Sequence, residues 1–185
     1  MKTQKLFVLA AIICLLVGTS AVAMAQDVDC TEKQGVIQGE TIDGNVLVDG
    51  DSCNIVDSVI LGDVIARNLS RNDYLAIAYT TVEGQIRVAG GSVQLVGVSM
   101  PSYDGAPENR IVIRNADTDS AVLGTAVGKG NIVVRRAAGS IGNEIVVIQD
   151  NQVLNGDIRC NEPARSNTRS VNNLTPRGRV TCPGN

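Results

Sequence analysis

The chain contains no histidine and no tryptophan, and its aromatic residues amount to three tyrosines and one phenylalanine. Without imidazole, Ser-His-Asp and Cys-His catalysis, histidine-bound zinc and histidine acid-base chemistry are all excluded. So few rings leave little to stack on a sugar face or a nucleobase. A net charge of −3 opposes the counterion release that drives nucleic-acid binding. There is no phosphate-cradling glycine loop, because Gly128-Lys129-Gly130-Asn131 lacks the spacing and reads as a turn. After residue 25 no stretch sustains a helical period.

What the chain does have is a recurring phrase: a small residue, then an aliphatic, any residue, and another aliphatic. It reads Gly44-Asn45-Val46-Leu47-Val48, Gly62-Asp63-Val64-Ile65-Ala66, Gly84-Gln85-Ile86-Arg87-Val88, Asn109-Arg110-Ile111-Val112-Ile113, Gly130-Asn131-Ile132-Val133-Val134, Gly156-Asp157-Ile158-Arg159-Cys160 and Gly178-Arg179-Val180-Thr181-Cys182. Starts fall about 18 to 26 residues apart, a period that belongs to stacked coils. Alternation within each phrase predicts a strand with one buried face. Val46, Val64, Ile86, Ile111, Ile132, Ile158 and Val180 form one inward column, ending against a second column that closes with Cys160 and Cys182.

A second alternating segment precedes most phrases, with inward positions expected at Cys53 and Ile55, Leu75 and Ile77, Val93 and Leu95, Ala121 and Leu123, and Ile145 and Val147. A further aliphatic stands two residues before the glycine, at Ile42, Ile60, Val82 and Leu154. Turn formers such as Asp57-Ser58, Thr80-Thr81 and Asn172-Asn173 separate these segments. The expectation is an all-β parallel β-helix, a single-stranded solenoid of about seven coils, because one coil alone cannot bury its aliphatic face.

Residues 1–25 read as a secretory signal: Lys2 and Lys5, the apolar run Leu6 to Val17, then Ala23-Met24-Ala25 ahead of Gln26. The expected organisation is signal 1–25, β-helix 26–160 and an irregular terminal coil or cap 161–185. No later segment is long and apolar enough to span a membrane, so the expected location is secreted or periplasmic. Removing the signal with Cys14 leaves four of the five cysteines, an even number that suits disulfides in an exported chain. Cys160 and Cys182 close consecutive phrases, and stacked strands about 4.8 Å apart would bring them within bonding reach. Cys30 and Cys53 then pair by elimination, since their columns do not match.

The phrase resembles the repeats of small secreted right-handed parallel β-helix proteins, the pectin-lyase-like architecture with its uncharacterised bacterial members. The resemblance covers roughly Val36 to Cys182 and implies the coil's handedness. It also implies a place to look for chemistry, since polysaccharide lyases of that architecture pair a carboxylate calcium site with an Arg or Lys base. Here Asp49, Asp51, Asp57, Asp63 and Arg67 are the residues to weigh. Asp49-Gly50-Asp51 could offer oxygens to a calcium ion, or could simply make a turn. No cofactor is required.

Arg67, Arg114 and Arg135 each lie three residues after the first aliphatic of their phrase, so they should share one edge of the solenoid. Such a ladder suits an extended anionic polymer, or is solvated charge that discourages strand pairing. Tyr103 and Asp104 stand in an insertion between Gly97 and Glu108 and are candidate contact residues, though a neutral insertion explains them equally. Residues 26–109 hold 4 basic and 13 acidic side chains, and residues 110–185 hold 10 and 6. That gradient from −9 to +4 suits head-to-tail association with a second copy, or is ordinary surface charge. The functional expectation is a non-catalytic exported solenoid acting as a structural, adhesive or surface-binding module. Its partners would be itself or envelope polysaccharide, and its alternative is a polysaccharide-binding or lyase-like protein.

Overall fold

The computed structural model describes residues 25–116, 120–135, 146–160 and 168–182, and among them every regular element is a strand. The signal expected at residues 1–25 falls almost wholly outside this range. Parallel pairing joins each coil to the next, giving a β-solenoid with three faces. The first face carries the repeated phrase, in seven strands from Val28–Asp29 to Ile158–Cys160. The second face stacks Val36–Gln38, Cys53–Val56, Ser120–Leu123, Val146–Gln149 and Thr168–Val171. Val64–Ala78 and Ile86–Val96 each run round the corner from the first face to the second, with irregular register at the bend. The third face is a six-stranded sheet of two-residue strands, so about six turns are complete.

Register follows the phrase. Val46 pairs with Val64, Val64 with Ile86, Ile86 with Ile111, and Ile132 with Ile158. A single bridge from Ile158 to Val180 extends the column into the last coil. The stacked aliphatics Val46, Val64, Ile86, Ile111, Ile132 and Ile158 are fully buried, and each contributes about 1.5–3 kcal/mol relative to exposure.

Two corner columns explain why the chain bends at the same place in every coil. Between the second and third faces sits one left-handed residue per coil: Gly39, Asp57, Tyr79, Gly97, Gly124, Asp150 and Asn172, with φ between 50° and 66°. The left-handed conformation costs a non-glycine residue about 1 kcal/mol. It also aims the N–H along the solenoid axis, where Asp57 donates to the Ala78 carbonyl at 3.1 Å and Tyr79 to that of Val96 at 2.9 Å. At the entrance to the first face the phrase glycines stack directly. A Cβ on Gly62 would collide with the Gly44 carbonyl, and one on Gly84 with that of Gly62.

Beside that glycine column runs a ladder of side-chain acceptors. Asp27 Oδ1 accepts the Asn45 N–H at 3.0 Å, Asn45 Oδ1 that of Asp63 at 2.7 Å, and Asp63 Oδ1 that of Gln85 at 2.8 Å. It resumes lower down, where Asn131 accepts from Asp157 and Asp157 from Arg179. A short acidic or amide side chain after the glycine therefore satisfies an N–H that the corner leaves without a strand partner.

Both expected disulfides are formed, by different geometry. Cys160–Cys182 is a rung within one column, with Cα atoms 4.9 Å apart. Cys30–Cys53 joins the first face to the second across the buried interior, with Cα atoms 6.1 Å apart. The crossing explains why their spacing matched no shared column. Two disulfides mark a protein that matures in an oxidising compartment.

Two inward assignments are corrected by one residue. Ser120 and Val122 are buried where Ala121 and Leu123 were expected, and Val146 and Ile148 are buried in place of Val147. Ile145 lies outside the described residues. On the third face Val153 is inward and Leu154 is 46% exposed. Each segment is apolar at both parities, so alternation alone does not determine which set faces inward.

Candidate ligand-binding groove on the first face

Outward positions of the first face form a concavity. Outward Ile65, Arg67, Arg87, Ala89, Val112 and Arg114 line it together with the strand at buried Ala66 and Val88, around about 310 Å³. Ala89, one of the short side chains in the lining, lies beside Arg114. Arg114 pairs in register with Ala89 on one side and with Arg135 on the other, while Arg67 pairs with Asp49 one coil earlier. Arg114 and Arg135 thus share one edge, whereas the register shifts just after Ala66, and Arg67 joins Arg114 as a residue lining the same groove.

The electrostatics are asymmetric. Arg67 Nε holds Asp49 Oδ2 at 3.0 Å, and an Arg87 terminal nitrogen holds Asp63 Oδ2 at 2.6 Å. Arg114 makes no ion pair among the described residues and is exposed. Both acidic partners lie outside the groove lining, so the groove presents two arginines already paired from outside and one, Arg114, without an ion pair among the described residues. An anionic group with a nonpolar face fits that combination.

Asp49 and Asp51 are not brought to a common site. Asp49 accepts from Asn68 Nδ2 at 2.7 Å as well as from Arg67, and the Asn68 bond, with Arg67 beside it, holds its carboxyl below the usual carboxylate range. Asp51 lines a separate hollow with Thr31, Gln34, Ser52 and Asp73.

Tyr103 and Asp104 sit exposed in the loop after Ser99–Met100, and what anchors that loop was not apparent from the pattern. Arg110 is 0% exposed. Its Nε donates to Gly84 O at 3.0 Å, one terminal nitrogen to Pro101 O at 3.0 Å, and the other to Glu83 O at 2.8 Å and Val82 O at 3.2 Å. Burial pushes the guanidinium down from its ordinary range, and Tyr103, Asp63 and Glu83 pull it partly back. Pro101, carrying one acceptor, lies within the insertion just after Ser99–Met100, so Arg110 ties the loop to the glycine corner. The signal was Asn109-Arg110 replacing the phrase's glycine, with a register break between Asn109 and Ile111.

Among the described residues no helix is long and apolar enough to cross a membrane. No protein-family model matches the chain, and comparison with curated proteins and with solved structures returns no match. The parallel β-solenoid therefore stands on its strand pairing and not on kinship.

Proposed function

We propose that this chain is an exported, non-catalytic surface-binding module, secreted or periplasmic, whose first face takes an extended anionic polymer such as an acidic envelope polysaccharide. The groove between Arg67 and Arg114, floored by Ile65, Ala89 and Val112, carries this reading. Parallel strands place successive rows about 4.8 Å apart, so Arg67 and Arg114 stand about two rows apart, with Arg135 one row beyond Arg114. A flexible polyanion laid along the axis meets one guanidinium after another, while the stacked backbone keeps them from moving apart. Because the charges are pre-positioned, little entropy is lost on the protein side.

The test is binding of charge-graded polysaccharides, from neutral to fully uronated, to the oxidised protein at two salt concentrations. Affinity should rise with polymer charge and fall with salt. Arg67→Gln with Arg114→Gln should weaken binding at least about tenfold, the loss of roughly 1.4 kcal/mol. Equal affinity for neutral polymers, or no change in the double variant, overturns the reading. Accumulation of unsaturated uronate ends in the same samples would replace it with the lyase alternative.

A further inference from the structure

We propose that the solenoid associates head to tail with a second copy of itself, the last described coil of one molecule docking on the first coil of the next. The proposal does not depend on the groove; three observations at the two ends carry it.

The first is an interrupted core. Between Val46 and Ile158 the leading aliphatic column is fully buried, whereas the residues at its two extremities, Val28 and Val180, are only partly buried. Among the described residues, neither has the row that covers every member between them. Stacking one molecule on another puts Val28 of the incoming copy over Val180 and completes both. The strand edges match as well: among the described residues, Val36–Gln38 and Thr168–Val171, at opposite ends of the second face, each have a strand on one side alone.

The second is charge. The first coil carries Asp27, Asp29, Glu32, Glu40 and Asp43 against Lys33, whose ammonium is already bound to Glu40 at 2.8 Å. Residues 168–182 carry Arg169, Arg177 and Arg179, all exposed, and no acid. The two surfaces that would meet are therefore of opposite sign, whereas two like ends repel. That selects head-to-tail over head-to-head contact.

The third is register. The corner ladder opens on the carboxylate of Asp27 and ends on Arg179. One coil step across the junction brings Asp27 of the second copy next to Arg179. In a different column, Asp49 and Arg67 show that one coil step brings a carboxylate and a guanidinium within 3.0 Å.

Sedimentation velocity on the oxidised protein tests this over a range of protein concentrations, at about 0.01 M salt, where the Debye length is about 30 Å, and at about 1 M, where it is about 3 Å. Mean mass should grow with concentration at low salt and return to monomer at high salt. Arg177→Glu with Arg179→Glu, and separately Glu32→Lys with Asp43→Lys, should each weaken association at least about tenfold. Mixing the two variants should restore it. Melting temperatures of both should match the unaltered protein, which separates a lost contact from a lost fold. Arg67→Gln with Arg114→Gln should leave assembly unchanged, so failure of the groove reading and failure of this one are distinguishable. A strictly monomeric protein at low salt, as would follow if the chain's own terminal segments cover its ends, overturns the proposal. So does assembly that survives both charge reversals.

Discussion

The guanidinium carbon of Arg110 lies 5.3 Å from the centroid of the Tyr103 ring, so the one fully buried cation among the described residues is covered by a residue of the loop it anchors. Cation-π attraction of this kind strengthens as water is excluded. Four backbone carbonyls complete the surroundings, and no carboxylate is bonded to the group.

Removing that cation should be expensive. Arg110→Ala leaves the carbonyls of Val82, Glu83, Gly84 and Pro101 facing a void, and the expected loss is about 3–5 kcal/mol of unfolding free energy. Guanidinium ion at low millimolar concentration should raise the melting temperature of Arg110→Ala while leaving the unaltered protein unchanged. Equal responses would mean that the carbonyl cage is not what the side chain satisfies.

The glycine corners separate steric from conformational demand. Gly84→Ala drives a methyl into the Gly62 carbonyl and the Asp63 carboxylate, both held by the ladder, and should cost more than about 2 kcal/mol. Gly39→Ala has nothing within 4 Å of the new Cβ but keeps φ at 66°, so its cost should stay near 1 kcal/mol. Chemical denaturation of the two variants checks the order, and a reversed order would refute the stacking argument.

Asp157 predicts a response to acid. Its Oδ2 is held by Arg159 at 2.7 Å and its Oδ1 accepts the Arg179 N–H at 2.8 Å, which together hold its pKa below the ordinary 3.8. A carboxylate depressed on folding contributes stability above its unfolded pKa, and that contribution is lost as pH falls through the folded value. Melting between about pH 5 and pH 2 should therefore show a decline that is smaller in Asp157→Asn. The amide keeps the Oδ1 acceptor, as Asn45 and Asn131 do in the same ladder. An identical slope in the variant would assign the acid response to other carboxylates.

Each disulfide closes a loop of 22 or 23 residues, which the chain-entropy relation values at about 3 kcal/mol. The two should fail differently. Cys182→Ser frees the last coil, so amide exchange should rise over residues 168–182 first. Cys53→Ser unties two faces at once at the other end, and protection should fall in both Val28–Asp29 and Val36–Gln38. Uniform loss throughout the protein would mean that the coils unfold as a single unit.

How much of this was legible in advance differs from column to column. The phrase made the first face readable because its parity is unambiguous: Gly-Asp-Val-Ile-Ala has one inward set once Val64 is placed. Ala121-Val122-Leu123 has two, and the neighbouring coil decided between them by pairing Val122 with Leu95. That Arg114 and Arg135 stand side by side followed from spacing, but the groove did not. It depends on short side chains such as Ala89 lying beside Arg114, a matter of volumes in adjacent coils. Arg110 escaped notice because arginine after a small residue ordinarily reads as surface charge, and only the inserted loop supplied carbonyls to receive it.

By itself the sequence determined the period, the parallel stacking of the phrase and the reach between Cys160 and Cys182, because these depend on local alternation and on the roughly constant distance between stacked strands. Tertiary structure alone decided which way doubly apolar segments face, that Cys30 crosses from one face to another to reach Cys53, and that Arg110 is buried. Those outcomes depend on what a side chain meets about twenty residues away, in a coil whose length varies. Space there is settled only when all the turns are laid on one another.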